Sequence, residues 1–359
     1  MRRRPEPSSH DPPTGPSGLD GGRPVEGARV EARTREAEGG PPPPLIEVGS
    51  FSGGSERRRI GPVTAERLET ALQRLVGSTA AARRLAVGHR TGQLRLDAVW
   101  GLDGRSGGFE AVAVLMRNAG RTAGVLLSPV RHRAEIAPAT ELVRALLADR
   151  RFEADLAQAM LDPNRPLDRA PLIGAGFEAL AELRFMDRPL PGGPVDEPTL
   201  GHDLRIEACG EAPAESLHRL LLETYRDTLD CPGLAGARRV EDVLEGHRAA
   251  GRFRPDFWRR LIVDGAPAGL SLLNPNPESG CVELVYFGLA PSFRGRGLAG
   301  LLLRDAIRTA IAAGLPRLSL AVDDRNLPAL KVYRRHGFVP GTVRSALVKR
   351  LRPAPAPGP

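Results

Sequence analysis

Cys281-Val-Glu-Leu-Val-Tyr-Phe-Gly-Leu-Ala-Pro291-Ser-Phe-Arg294-Gly-Arg-Gly297-Leu-Ala-Gly-Leu-Leu-Leu303 decides the reading of this 359-residue chain. An apolar, strand-like run stops at a proline. A basic glycine loop follows, and an apolar-periodic segment starts at once. The first N–H groups of a helix have no partner inside it, and the helix dipole favours negative charge there. Strand, glycine loop and helix start together are therefore an anion site, with Gly295 and Gly297 letting the main chain approach a phosphate without a Cβ in the way.

Outward from this stretch, the second half reads strand Leu204–Cys209, helix Pro213 to about Thr228 and helix Val240–Ala250. Strands Trp258–Val263, Ala268–Leu273 and Val282–Leu289 lead into the loop. The helix after it stops at Gly314 with Pro316 beyond. Strand Leu318–Val322, helix Leu327–His336 and strand Gly341–Leu351 close the half. The first half shows a helix from Thr64, then strand-like Leu94–Leu102, Phe109–Met116 and Thr122–Val130 between glycine turns. Helix Ala139–Leu147, a second short helical piece and a closing strand follow.

The two halves rhyme. Pro129 to Gly176 and Pro291 to Gly337 span 47 and 46 residues, and Asn164 to Phe177 and Asn326 to Phe338 span 13 and 12. Asp162-Pro-Asn164-Arg-Pro166 matches Asp324-Arg-Asn326-Leu-Pro328. This is an internal duplication. It predicts domains at 58–188 and 202–352, a Pro/Gly linker at 189–201 and a frayed tail at 353–359. Residues 1–57 are rich in Pro, Gly, Ser, Glu and Arg, and are expected to be disordered for want of apolar area to bury.

Composition narrows the function classes. The net charge of +8 is arginine interleaved with 43 acids, without a basic block. Ten Phe, three Tyr and two Trp supply few stacking platforms, which argues against a nucleic-acid partner. Cys209, Cys231 and Cys281 are odd in number and offer neither a disulfide framework nor a metal spacing, so no metal and a reducing compartment are expected. No apolar run reaches the length of a membrane span, and Arg2–Arg4 precede prolines instead of an apolar leader. The expected location is the cytoplasm.

Gly295-x-Gly297-x-x-Gly300 also fits a dinucleotide fingerprint, with Asp323 near the offset of a ribose contact. Only one further strand and a short helix fit after Asp323, and antiparallel-looking strands precede the loop. A doubly wound sheet needs more βαβ units than that.

Arg294-Gly-Arg-Gly297-Leu-Ala299 resembles instead the Arg/Gln-x-x-Gly-x-Gly/Ala signature of the GNAT superfamily of acyl-CoA-dependent N-acetyltransferases. Asn326-x-Pro328-Ala329-x-x-Val-Tyr333-x-x-x-Gly337-Phe338 is similar to that superfamily's other hallmark. The likeness covers about Leu204–Leu351. It implies a mixed, mostly antiparallel α/β sheet flanked by helices, in two tandem GNAT-like domains. It also implies an acetyl group, or another acyl group, passed from its CoA thioester to a primary amine through a tetrahedral intermediate. The acceptor would be a small molecule or a protein amine, which the sequence does not name; nor does it give the oligomeric state.

The resemblance assigns roles. Backbone N–H groups of Arg294, Gly295, Arg296, Gly297, Leu298 and Ala299 would grip the CoA pyrophosphate, with the Arg294 or Arg296 guanidinium adding charge. Phe287, Gly288 and Leu289 would pair with the pantetheine arm, and Asn326 would help hold the strand–helix junction and the cofactor. Tyr333 would protonate the departing thiolate; its alternative is a core aromatic. Glu283, 11 residues before Arg294, sits at the offset of a general base, and its alternative is a solvated or arginine-paired carboxylate. Were Glu283 and Val285 to share a face, Leu284 and Tyr286 would take the other. Tyr225 and Asp230, beside a Pro/Gly loop, suit a cationic amine, unless that stretch is an ordinary helix end. The first half lacks the glycines, has Glu135 where a phosphate would sit, and offers no phenol opposite Tyr333, so it reads as an eroded copy. A rival function is a catalytically inactive tandem GNAT that senses acyl-CoA or mediates protein contacts.

Overall fold

The computed structural model describes residues 46–48, 58–104, 107–149, 151–191, 201 and 203–352. The expectations for residues 1–45, 49–57 and 353–359, and for most of the linker, lie outside them. Ile46–Val48 forms β1, pairing with β2 (Arg58–Pro62), so the expected disorder does not extend to those three residues.

From β2 onward the same element order occurs twice. In the first half α1 (Leu68–Val76) and α2 (Thr79–Arg90) follow β2. Next come β3 (Ala98–Asp103), β4 (Phe109–Asn118), β5 (Thr122–Leu127) and α3 (Ile136–Ala148). The half ends with β6 (Leu156–Leu161), α4 (Pro166–Gly174) and β7 (Glu178–Pro189). The second half opens with β8 (Leu204–Ala208), α5 (Ala214–Tyr225), α6 (Val240–Ala249) and β9 (Trp258–Val263). It continues with β10 (Ala266–Asn276), β11 (Cys281–Leu289) and α7 (Leu298–Ile311). It closes with β12 (Arg317–Asp323), α8 (Leu327–Arg335) and β13 (Val339–Arg350). Helix α2 has no counterpart in the sequence reading. It starts at the Ser78 cap, whose hydroxyl accepts the Ala81 N–H, but Ala and Arg give its two faces little contrast.

Among the described residues the strands form one sheet in the order β1-β2-β3-β4-β5-β6-β13-β7-β12-β11-β10-β9-β8. All pairings are antiparallel except β5 with β6 and β11 with β12. The fold is thus the mixed, mostly antiparallel α/β architecture expected, with helices on both faces. That cover explains why β4 and β10 carry unbroken buried runs where a one-sided sheet would alternate.

The last strands are exchanged. β7 pairs with β12 over seven residues, and β13 pairs with β6 over six, while β7 and β13 pair with each other at the centre. The cores follow suit. Met186 of β7 is fully buried among Leu303, Ile307, Leu320 and Phe338 of the second half. Leu347 of β13 is fully buried among Leu142, Leu172 and Phe177 of the first. Each hydrophobic core is therefore finished by a side chain from the other repeat.

β7 also holds a turn that matters later. Arg184 grips Asp324 with two hydrogen bonds, 2.6 and 2.8 Å, and the Asp324 N–H donates to Glu182 O at 2.8 Å. The segment between β12 and α8 is thus fastened from the first half. On the other side, the β4–β5 turn at Gly120 packs on the start of α6. There Arg238 donates to Gly120 O at 2.8 Å and to Asp242 O at 2.7 Å.

Candidate active site

β11 and β12 run parallel but pair only at Val282–Leu318 and Glu283–Ser319. Beyond Glu283 they diverge, so the β12-facing edge of β11 from Leu284 to Leu289 has no strand beside it. A notch with free backbone groups on its wall results, able to accept an extended chain as a further strand. β11 pairs with β10 on its other edge, and the register slips where Leu272 faces Tyr286 and Leu273 faces Leu284. Val285 is the extra residue of this bulge, and it reverses the expected alternation. Val285 and Tyr286 both pack toward α5 and α6, whereas Leu284 and Phe287 face α7 and α8.

The loop at the mouth of the notch begins as a 3₁₀ turn, Pro291–Phe293. Gly295 and Gly297 then take φ of 74° and 77°, a region other residues enter only at a cost. Gly297 caps α7 without a side-chain hydrogen bond, so the first-turn N–H groups of Leu298 and Ala299 are left to an outside acceptor. Arg296 is exposed and lies over the Phe293 ring at 5.6 Å.

The Arg294 guanidinium is engaged by the protein's own carbonyls. Nε donates to Leu289 O at 3.0 Å, and the terminal nitrogens reach Thr224 O at 3.0, Arg226 O at 2.7 and Asp227 O at 2.9 Å. Four carbonyls occupy it, three of them at the C-terminal end of α5. Its own N–H donates to Pro291 O, closing the 3₁₀ turn.

Below the loop, Asn326 caps α8 by accepting the Ala329 N–H at 3.3 Å, as the expected junction role requires. Tyr333, two turns on, is 6 % exposed. Its ring stands edge-on to Phe287, centroids 6.1 Å apart, and 5.5 Å from Phe338. Burial, and then the negative charge of Asp230, push its phenol further above the usual range, so it carries its proton at neutral pH.

Asp230 stands on the loop after α5. Its Oδ1 accepts the Asp323 N–H at 2.8 Å, while the Cys231 N–H points back to Asp323 Oδ2 at 3.4 Å. Cys231 has a left-handed φ of 47°, which brings both contacts about. Asp323 is fully buried, and burial works to raise its pKa, but hydrogen bonds from Arg325 pull it below the usual range. Asp230 has no such cation. Asp230 is exposed as a residue, but the packing around its carboxyl raises its pKa, against the pull of the Asp323 N–H and with the push of the Asp323 charge.

Tyr225 sits edge-on to Tyr286 at 5.3 Å, and the Tyr286 hydroxyl meets Thr224 Oγ1 at 2.7 Å. His247 packs 5.6 Å from Tyr286, and burial lowers its pKa to about 4, keeping it neutral. All three tyrosines of the chain thus converge on one region. No site role was read in the sequence for Tyr286, Thr224 or Arg238, and Asp323 was read only for a ribose contact, although the scarcity of tyrosine was itself a signal for Tyr286.

Glu283 is placed apart from this group. It accepts a 2.8 Å hydrogen bond from Asn276 and lies level with Ser319, where the strands are still paired. Asp323, which Asp230 grips, is four residues further along β12, roughly 13 Å at the rise of a strand.

In the corresponding loop of the first half, carboxylates hold two backbone N–H groups. Its Val130 N–H donates to Asp168 Oδ1 at 2.7 Å, and its Arg131 N–H to Glu135 Oε2 at 2.9 Å. Glu135, aligned with Gly297, has an ordinary helical φ of −80°.

Residues 215–338 match the family model of the acetyltransferase (GNAT) family. The match lies within the second half of the chain. Mycothiol acetyltransferase of Streptomyces avermitilis is 29 % identical over 163 residues, 45 % of this chain and 52 % of that protein. Mycothiol acetyltransferase of Beutenbergia cavernae is 31 % identical over 181 residues, 50 % of this chain and 54 % of the relative. The chain thus spans about half the length of the curated relatives it matches. A GCN5-related N-acetyltransferase from Sphaerobacter thermophilus shares the fold at TM-score 0.53 and 19 % identity, covering 82 % of this chain and 96 % of the other. No helix among the described residues is long and apolar enough to cross a membrane.

Proposed function

We propose that this chain is an acyl-CoA-dependent N-acyltransferase whose second half, about 202–352, carries the reaction. The observation that carries it is the notch between β11 and β12, which opens between a free glycine-loop helix start and the buried Tyr333. The N–H groups of Gly295 through Ala299 would hold the pyrophosphate of acetyl-CoA, helped by Arg296. The main chain at Phe287, Gly288 and Leu289 would pair with the pantetheine arm, one N–H polarising the thioester carbonyl. Asp230, between Tyr225 and Tyr333 and without a cation of its own, would hold the acceptor as an ammonium. Glu283, below the notch where the strands are still paired, would take the amine proton through a chain of waters. The amine nitrogen then bonds to the thioester carbon, the carbon–sulfur bond breaks, and Tyr333 returns a proton to the thiolate.

Thiol release from acetyl-CoA over a panel of primary amines, including the acceptor of the mycothiol acetyltransferases, tests the proposal. Tyr333→Phe is expected to lower kcat about 10²-fold with little change in KM. Unchanged kcat would remove Tyr333 from the chemistry, and no turnover with any amine, despite acetyl-CoA binding, would favour a sensor.

The first half, about 58–188, would serve as scaffold. Its loop lacks both glycines, and its Val130 and Arg131 N–H groups are held by Asp168 and Glu135. Calorimetric titration of the full chain with acetyl-CoA is expected to give one site per chain. Two sites would refute the scaffold role.

A further inference from the structure

We propose that Arg294 is a positioning residue that sets the acceptor-side loop, and that it is not a ligand of the phosphates. The inference rests on the acetyl-CoA reading above for what the loop is for, but not for the contacts themselves. The loop from Arg226 to Cys231 is tied at both margins of the notch. On the β11 side, one guanidinium joins Leu289 O at the strand end to Thr224 O, Arg226 O and Asp227 O. On the β12 side, Asp230 and Cys231 exchange hydrogen bonds with Asp323. Between the two ties the strands have parted. The loop is therefore a strap across the opening, and Asp230 takes its position from both ends.

The chemistry of each partner fits. Carbonyls at the end of a helix have no intrahelical donor and carry the negative end of its dipole, so a planar cation with several fixed N–H groups suits them. A lysine ammonium has no fork and cannot serve strand and helix end together. Asp227 has a left-handed φ of 52°, and its carbonyl is one of the four acceptors. Glycine at 295 and 297 leaves the phosphate-facing N–H groups next door independent of the Arg294 side chain. A phosphate ligand would have its guanidinium turned toward the helix start, whereas that of Arg294 is turned to four carbonyls.

Full-length Arg294→Ala, Arg294→Lys and Arg296→Ala, each checked for a wild-type melting profile, decide the matter by two measurements. One is acetyl-CoA affinity by calorimetry; the other is amide exchange of Thr228, Asp230 and Cys231. Both Arg294 variants are expected to keep acetyl-CoA affinity within about fivefold while those three amides exchange at least about tenfold faster, without rescue by lysine. Arg296→Ala is expected to weaken acetyl-CoA and leave the exchange unchanged. Loss of acetyl-CoA affinity beyond fivefold in Arg294→Lys, or exchange that rises less than tenfold, overturns the proposal. Should Arg294→Ala fail to fold, Arg294→Lys alone decides. Failure of the wild type to bind acetyl-CoA would sink the proposed function, while the exchange result would still decide what Arg294 holds.

Discussion

Gly120→Ala is expected to destabilise the whole chain by about 2–5 kcal/mol, out of a typical total of about 5–15. Gly120 has φ of 67°, and a methyl there would collide with the Asp242 carbonyl and the Arg238 guanidinium. The left-handed backbone costs an L-residue about 1–2 kcal/mol, and relieving the collision means moving the start of α6 away from the β4–β5 turn, about 1–3 kcal/mol more. Arg238 would lose the Gly120 carbonyl in the same movement. Gly92→Ala is the matched control, with φ of 72° and open space around the missing Cβ. It should cost only about 1–2 kcal/mol. Urea unfolding of both variants measures the difference. Equal losses would mean that the turn is not packed on α6 in solution.

Gly297→Val is expected to weaken acetyl-CoA by about 10²-fold or more while the fold survives. A Cβ at Gly297 meets nothing within 4 Å, so nothing in the protein itself resists it. A β-branched residue at φ of 77° is nevertheless strained, and the loop relaxes by rotating the peptides beside it. Those peptides carry the N–H groups that would grip the pyrophosphate, and the new methyls project into the space it needs. Calorimetry gives the affinity, and thermal unfolding should show a loss of only a few degrees. Full affinity in a folded Gly297→Val protein would remove the loop from the CoA site.

Much of this was legible in sequence because it is local. A proline, two glycines and an apolar period specify the loop and α7; Asn326 announces the start of α8. The repeat offsets anticipated the duplicated element order. Features that depend on a distant partner were not legible. Nothing in β7 or β13 says which strand each will join, since either pairing buries the same alternating residues. The extra residue at Val285 leaves no mark in a run that is apolar throughout, yet it turns Tyr286 toward Thr224. Arg294 read as a phosphate ligand because a motif gives charge and spacing but not direction. Asp323 was noticed only for a ribose contact; its carboxylate is buried under Arg325.

The exchanged last strands change what genetic damage does. A stop codon just after Phe338 spares Arg294, Asn326 and Tyr333, yet it deletes β13. β6, the strand of the other repeat that borders the exchanged pair, then loses its neighbour, and the space around Leu142 and Phe177 loses Leu347. A deletion of the first repeat would likewise strip β12 of β7 and leave a hole shaped like Met186, beside a bare strand edge open to aggregation. Neither repeat can thus be discarded without opening the core of the other.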